Sequence, residues 1–146
     1  MEYIKSVAKG QMRSDEAKDC SVRALSSAAE MHYDDAHELL AYHGRIDRKG
    51  CNGMTLMHAY SEAGFKNVTV FGTTKVAKYY SNTFANKITK TEKGITLQNF
   101  CKKYNKGRYI VSYNGHALAV VNGEVIDKGD NPANKRVVIA FKRNFE

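Results

Sequence analysis

Two of the three Asn-Gly dipeptides, Asn114–Gly115 and Asn122–Gly123, constrain the fold of this chain more than any other feature. Asn-Gly favours the two-residue hairpin turn in which both central residues take positive φ. Each dipeptide joins segments rich in β-formers: Gly107–Tyr113, His116–Val121 and Glu124–Asp127. Connections this short leave antiparallel neighbours as the only arrangement. They also fix the register. Pairing Val121 with Glu124 brings position 118 level with Asp127 and places His116 nearby on the same edge.

Upstream the apolar spacing is that of helices. Asp19 reads as an N-cap for a helix from Cys20 to Glu30, with Val22, Leu25, Ala28 and Ala29 on one face. A second helix begins at Asp34 or Asp35, runs through Ala36, Leu39 and Leu40, and stops at Gly44. A third spans about Thr55 to Ala63 and ends at Gly64. Asn67–Phe71 reads as a strand. Residues 72–93 are polar and basic and read as an excursion with a helical turn near Val76–Tyr80. Thr96 caps a short helix from Leu97 to Tyr104, and Arg136–Phe141 supplies a final strand. Helices first and strands second predict an α+β fold, with N-terminal helices on one face or end of a C-terminal antiparallel meander.

The 146 residues fit one domain, 1–146. An apolar content of 42% supports a packed core, and a single proline with a mean hydropathy of −0.52 argues against disorder. No window holds 18 consecutive apolar residues, so no membrane span is expected. Met1–Gly10 lacks the apolar run of a secretory signal. Cys20, Cys51 and Cys101 are odd in number and irregularly spaced, a poor disulfide framework that predicts a reducing, cytoplasmic setting. The net charge of +8 is unevenly placed: residues 1–73 carry 9 basic and 10 acidic side chains, residues 74–146 carry 14 and 5. That excess reads as a solvated face or as attraction to an anionic partner. No nucleic-acid-binding motif accompanies it, which argues against a nucleic-acid partner.

Cys20 stands where the first helical turn begins. Free backbone N–H groups and the positive end of the dipole stabilise a thiolate there, as a cysteine nucleophile requires. A small buried core cysteine would occupy the same position. His116 opens a strand, and Asp127 closes the next one, where its carboxylate can fix an imidazole tautomer. Asp130, in the same loop, is the rival acid. His32, His37, His43 and His58 show no ligand spacing with Cys51, so no metal is expected. Gly72–Lys75 lacks the spacing of a phosphate loop, and no cofactor is expected. Cys51 reads as a loop thiol and Cys101 as core.

Asp19–Cys20 at a helix start, Gly107–Val111 and Gly115–Asp127 together resemble the papain-like cysteine peptidases. The nearest resemblance is to the small kind encoded by bacteriophages, and the Asp-Cys pair is also similar to that of bacteriocin-processing peptidases. The resemblance covers roughly residues 10–141. It implies Cys20 as nucleophile, His116 as general base and then acid, Asp127 as orienting carboxylate, and a cleft between the helices and the sheet. The family's oxyanion glutamine stands about six residues before the nucleophile, where this chain has Ser14. Gln11 is the nearest glutamine and the implied donor, beside the Cys20 backbone N–H.

The expected function is therefore a cysteine peptidase or related thiol hydrolase acting on a protein or peptide in the host cytoplasm. The basic half favours an acidic substrate. The alternative is a catalytically weak or inactive papain-fold binding protein that inhibits a host defence target through that basic half.

Overall fold

A computed structural model describes residues 2–4, 19–46, 52–113, 115–127 and 132–143. In chain order the elements are β1 (Glu2–Ile4), α1 (Cys20–Ala29), α2 (Tyr33–Tyr42), α3 (Gly53–Glu62), β2 (Asn67–Phe71), α4 (Lys75–Thr83), β3 (Lys90–Glu92), α5 (Leu97–Lys103), β4 (Arg108–Tyr113), β5 (His116–Val121), β6 (Glu124–Ile126) and β7 (Ile139–Lys142). The fold is α+β. The described strands form one sheet in the order β1-β6-β5-β4-β7-β2-β3.

The meander forms as its turns require. Tyr113 pairs with His116 and Val121 with Glu124, so both connections hold two residues. Asn122 and Gly123 take φ of 51° and 81°, the paired positive values that such a turn needs. Side chains then alternate between two cores. Ile110, Ala117, Ala119, Ile139 and Phe141 pack with α1 to α4, whereas Tyr109, Val111, Leu118, Val120, Val125 and Ala140 pack with α5.

Three expectations need correction. The helices do not share one face: α5 covers the side opposite α1–α4, because the chain passes the sheet edge between β3 and β4. The sheet is mixed rather than a simple antiparallel meander, since β1 pairs parallel to β6 and β3 parallel to β2. The 72–93 excursion holds a full helix, α4, whose N-cap Thr74 accepts from the Ala77 N–H at 3.2 Å. Its apolar anchors, Ala77, Tyr80 and Phe84, are spaced at three and four and complete the first core.

Gly44 and Gly64 follow α2 and α3 with φ of 114° and 100°, the left-handed conformation that closes a helix. Among the described residues no helix is long and apolar enough to cross a membrane.

Candidate active site

α1 is anchored through its apolar face, with Val22, Leu25 and Ala28 fully buried. Tyr60 of α3 donates to the Ser21 carbonyl at 3.0 Å and fixes the first turn. The Asp19 carbonyl accepts from the Val22 and Arg23 N–H groups, which begins the helix at Cys20. Cys20 is half-buried at this end, where the first backbone N–H groups have no partner within the helix.

Asp19 occupies the N-cap position, but its side chain makes no capping bond. Arg23 Nε donates to Asp19 Oδ1 at 2.9 Å, and Tyr33 Oη donates to Asp19 Oδ2 at 2.9 Å. A permanent cation four residues on outcompetes the local backbone N–H groups for this carboxylate.

The hairpin brings His116 and Asp127 together as the register predicts. Ala119 pairs with Ile126, so Leu118 comes level with Asp127 and His116 lies two residues along. His116 Nε2 lies 2.6 Å from Asp127 Oδ2. The other oxygen, Asp127 Oδ1, accepts from Arg23 Nη1 at 2.7 Å. With Nε2 engaged, Nδ1 is the ring nitrogen left to face Cys20, whose thiol responds to His116 and to the Ala117 N–H. The Tyr113 ring lies 5.4 Å from the imidazole, tilted by 45°.

The electrostatics follow from these contacts. Burial pushes the Cys20 thiol up, but the His116 and Ala117 hydrogen bonds and the charges of His116 and Arg23 outweigh it, leaving the thiol below its ordinary value. His116 is raised to about 9, first by its hydrogen bond to Asp127 and then by that to Cys20, against a smaller effect of burial. Burial raises the Asp127 carboxyl, yet His116 and Arg23 together hold it below the usual carboxylate range. Both shifts favour a thiolate beside an imidazolium. Such a pair can attack an electrophilic carbon through sulfur and protonate a leaving group from the ring.

Cys20, His116 and Asp127 thus meet in one place. Gln11, Asp130 and Cys51 lie outside the described residues. Cys101 is buried in the second core, and burial pushes its thiol up to about 11, unsuited to nucleophilic work at neutral pH. His43 bonds Glu62 Oε1 at 2.9 Å, and no described group of three or more His, Cys, Asp or Glu could hold a metal ion.

Arg23 and Tyr33 were not legible as site residues. The signal was present for Arg23: an acid and a base four apart across the first turn of the nucleophile's helix. Tyr33 offered none, because its contact depends on how α2 packs on α1. No protein-family model, curated protein or solved structure matches the chain.

Proposed function

We propose that the chain is a papain-like thiol hydrolase, a cysteine peptidase by reaction class. The observation that carries the reading is the His116–Asp127 pair, 2.6 Å apart, with Cys20 at a helix start within electrostatic reach of the imidazole. The papain-like character rests on the sequence resemblance, which matches these three residues in order.

Cys20 Sγ attacks the substrate carbonyl carbon, forming a C–S bond and a tetrahedral oxyanion. The C–N bond then breaks, and the His116 proton passes to the departing amine. Neutral His116 takes a proton from water, whose oxygen attacks the thioester. The acid leaves, and Cys20 and His116 are restored as a pair. The Cys20 backbone N–H is one oxyanion donor and Gln11 the proposed second.

The test is capture by a peptidyl acyloxymethyl ketone followed by peptide mapping. The reading predicts one adduct, on Cys20, abolished in His116→Gln while the fold is kept. Labelling spread over the three cysteines, or unaffected by His116→Gln, contradicts it.

A second reading is a binding protein acting through the basic half. It is favoured by the exposure of Lys75, Lys78, Lys87, Lys93, Lys102 and Lys106. Such a function would survive Cys20→Ala and be lost on replacing Lys87, Lys90 and Lys93 by Glu.

A further inference from the structure

The proposed triad uses one oxygen of Asp127. The other is held by Arg23, whose Nε is in turn held by Asp19. Asp19, Arg23 and Asp127 are all buried, at 1%, 6% and 4% exposure. Charges alternate along the row Asp19, Arg23, Asp127, His116, Cys20. An uncompensated ion at any of these positions would be costly, so the row is built as a unit.

We propose that Arg23, held by Asp19, is a positioning residue that anchors Asp127 against His116 and keeps it a carboxylate after His116 has passed on its proton. The proposal rests on the thiol-hydrolase reading above. A buried carboxyl facing only an imidazole has a cation beside it in one half of the cycle. Once the proton moves to the leaving amine, the ring is neutral. Burial then favours a proton returning to Asp127, which would spoil its acceptance from Nε2. Arg23 cannot lose its proton, so Asp127 keeps a counter-charge throughout. Nη1 at 2.7 Å also fixes the carboxylate plane, which sets the ring orientation toward Cys20.

The groups facing this row come from each packed element. α1 supplies Asp19, Cys20 and Arg23, and α2 supplies the Tyr33 hydroxyl, 2.9 Å from Asp19. β4 supplies the Tyr113 ring and β5 supplies His116, while Asp127 follows β6. Among the described residues facing the row Arg23 is the one fixed cation, so its removal and that of Asp19 act on Cys20 with opposite sign. Without Arg23, Asp19 loses its counter-charge, Asp127 keeps only His116, and the thiolate is disfavoured. Without the Asp19 charge, the Arg23 field reaches Asp127 and Cys20 less opposed, and the thiolate is favoured.

The test is the pH dependence of iodoacetamide alkylation at Cys20 in the full chain, with folding followed by circular dichroism. Wild type should ionise below the ordinary thiol range. Arg23→Met should move the inflection up by about one pH unit or more. Arg23→Lys should recover part of that shift, since it restores the charge but not the fork. Asp19→Asn should move the inflection down. If Arg23→Met does not fold, the Asp19→Asn shift decides alone. A low wild-type inflection that no folded variant moves overturns the role of Arg23 and leaves the thiol-hydrolase reading standing. An ordinary wild-type inflection overturns that reading itself.

Discussion

His116 Nε2 and Asp127 Oδ2 lie 2.6 Å apart, across a hairpin whose turn holds two residues. The distance commits Nε2 to the carboxylate and leaves Nδ1 for Cys20. It is set by strand register, not by a loop, so the turn residues and the alternation of β5 and β6 position the site directly. Four consequences can be measured.

Cys20→Ala should abolish hydrolysis while leaving the fold intact. The lost sulfur is half-buried at a helix end, and the anchors Val22, Leu25 and Ala28 remain. Covalent capture by the peptidyl ketone should vanish, and Tm should stay within about 4 °C of wild type. A collapse of the fold would assign Cys20 a structural role instead.

Removal of Asp127 should cost stability as well as activity. Asp127→Ala leaves the buried Arg23 with one carboxylate in place of two. Breaking a buried ionic contact from one side costs about 3 kcal/mol. Urea unfolding of the variant should show a loss of that order. A loss under about 1 kcal/mol would mean that Arg23 does not depend on Asp127.

The Cys20–His116 pair also leaves a mark on stability against pH. Folding raises His116 from 6.5 to about 9, which stabilises fully below pH 6.5 and is lost as pH rises through about 9. Folding lowers Cys20 from 9.0, which stabilises above that value and is lost as pH falls. Below pH 9 the two contributions oppose each other in slope, because folding retains the imidazole proton and releases the thiol proton. Over the window from 6.5 to 9 the Cys20 gain therefore offsets the His116 loss. In Cys20→Ala only the His116 effect survives, sustained by Asp127. Urea titrations should therefore show the variant losing stability relative to wild type as pH rises across this window. Parallel curves would argue against the ion pair.

Arg108 supports the site from the far end of α1. Its Nη1 donates to the Ala28 carbonyl at 3.1 Å, and its Nη2 pairs with the Glu30 carboxylate. These contacts satisfy a helix C-terminus and tie α1 to β4. Arg108→Ala should destabilise by about 1.5 kcal/mol in urea unfolding. The pH profile of Cys20 alkylation should not move, because the contacts lie at the opposite helix end from Cys20. A shifted profile would show that α1 is free to slide on the sheet.

What the sequence revealed and what it hid follow one physical division. The β4–β5–β6 meander was legible because each decision is local: Asn122–Gly123 makes the turn, and alternation fixes the register. The juxtaposition of His116 and Asp127 came with it. β1 and β3 were not legible, since each has three residues and pairs in parallel, β1 with a strand at the other end of the chain and β3 with β2 across the α4 crossover. The placement of α5 opposite α1–α4 depends on where the chain crosses the sheet, which periodicity does not encode. Asp at a helix start usually caps it, and the sequence points to Asp19 in that role. Its side chain instead serves Arg23 and Tyr33, a choice made by tertiary packing.

The most direct test of the central claim is the ultraviolet absorbance of the thiolate. It is followed against pH as the difference between wild type and Cys20→Ser, and repeated in a His116→Gln background. The ion pair predicts thiolate absorbance that develops below the ordinary thiol value and is lost when His116 is replaced. Absorbance that emerges only near the ordinary thiol value of 9.0, unchanged by His116→Gln, would contradict it.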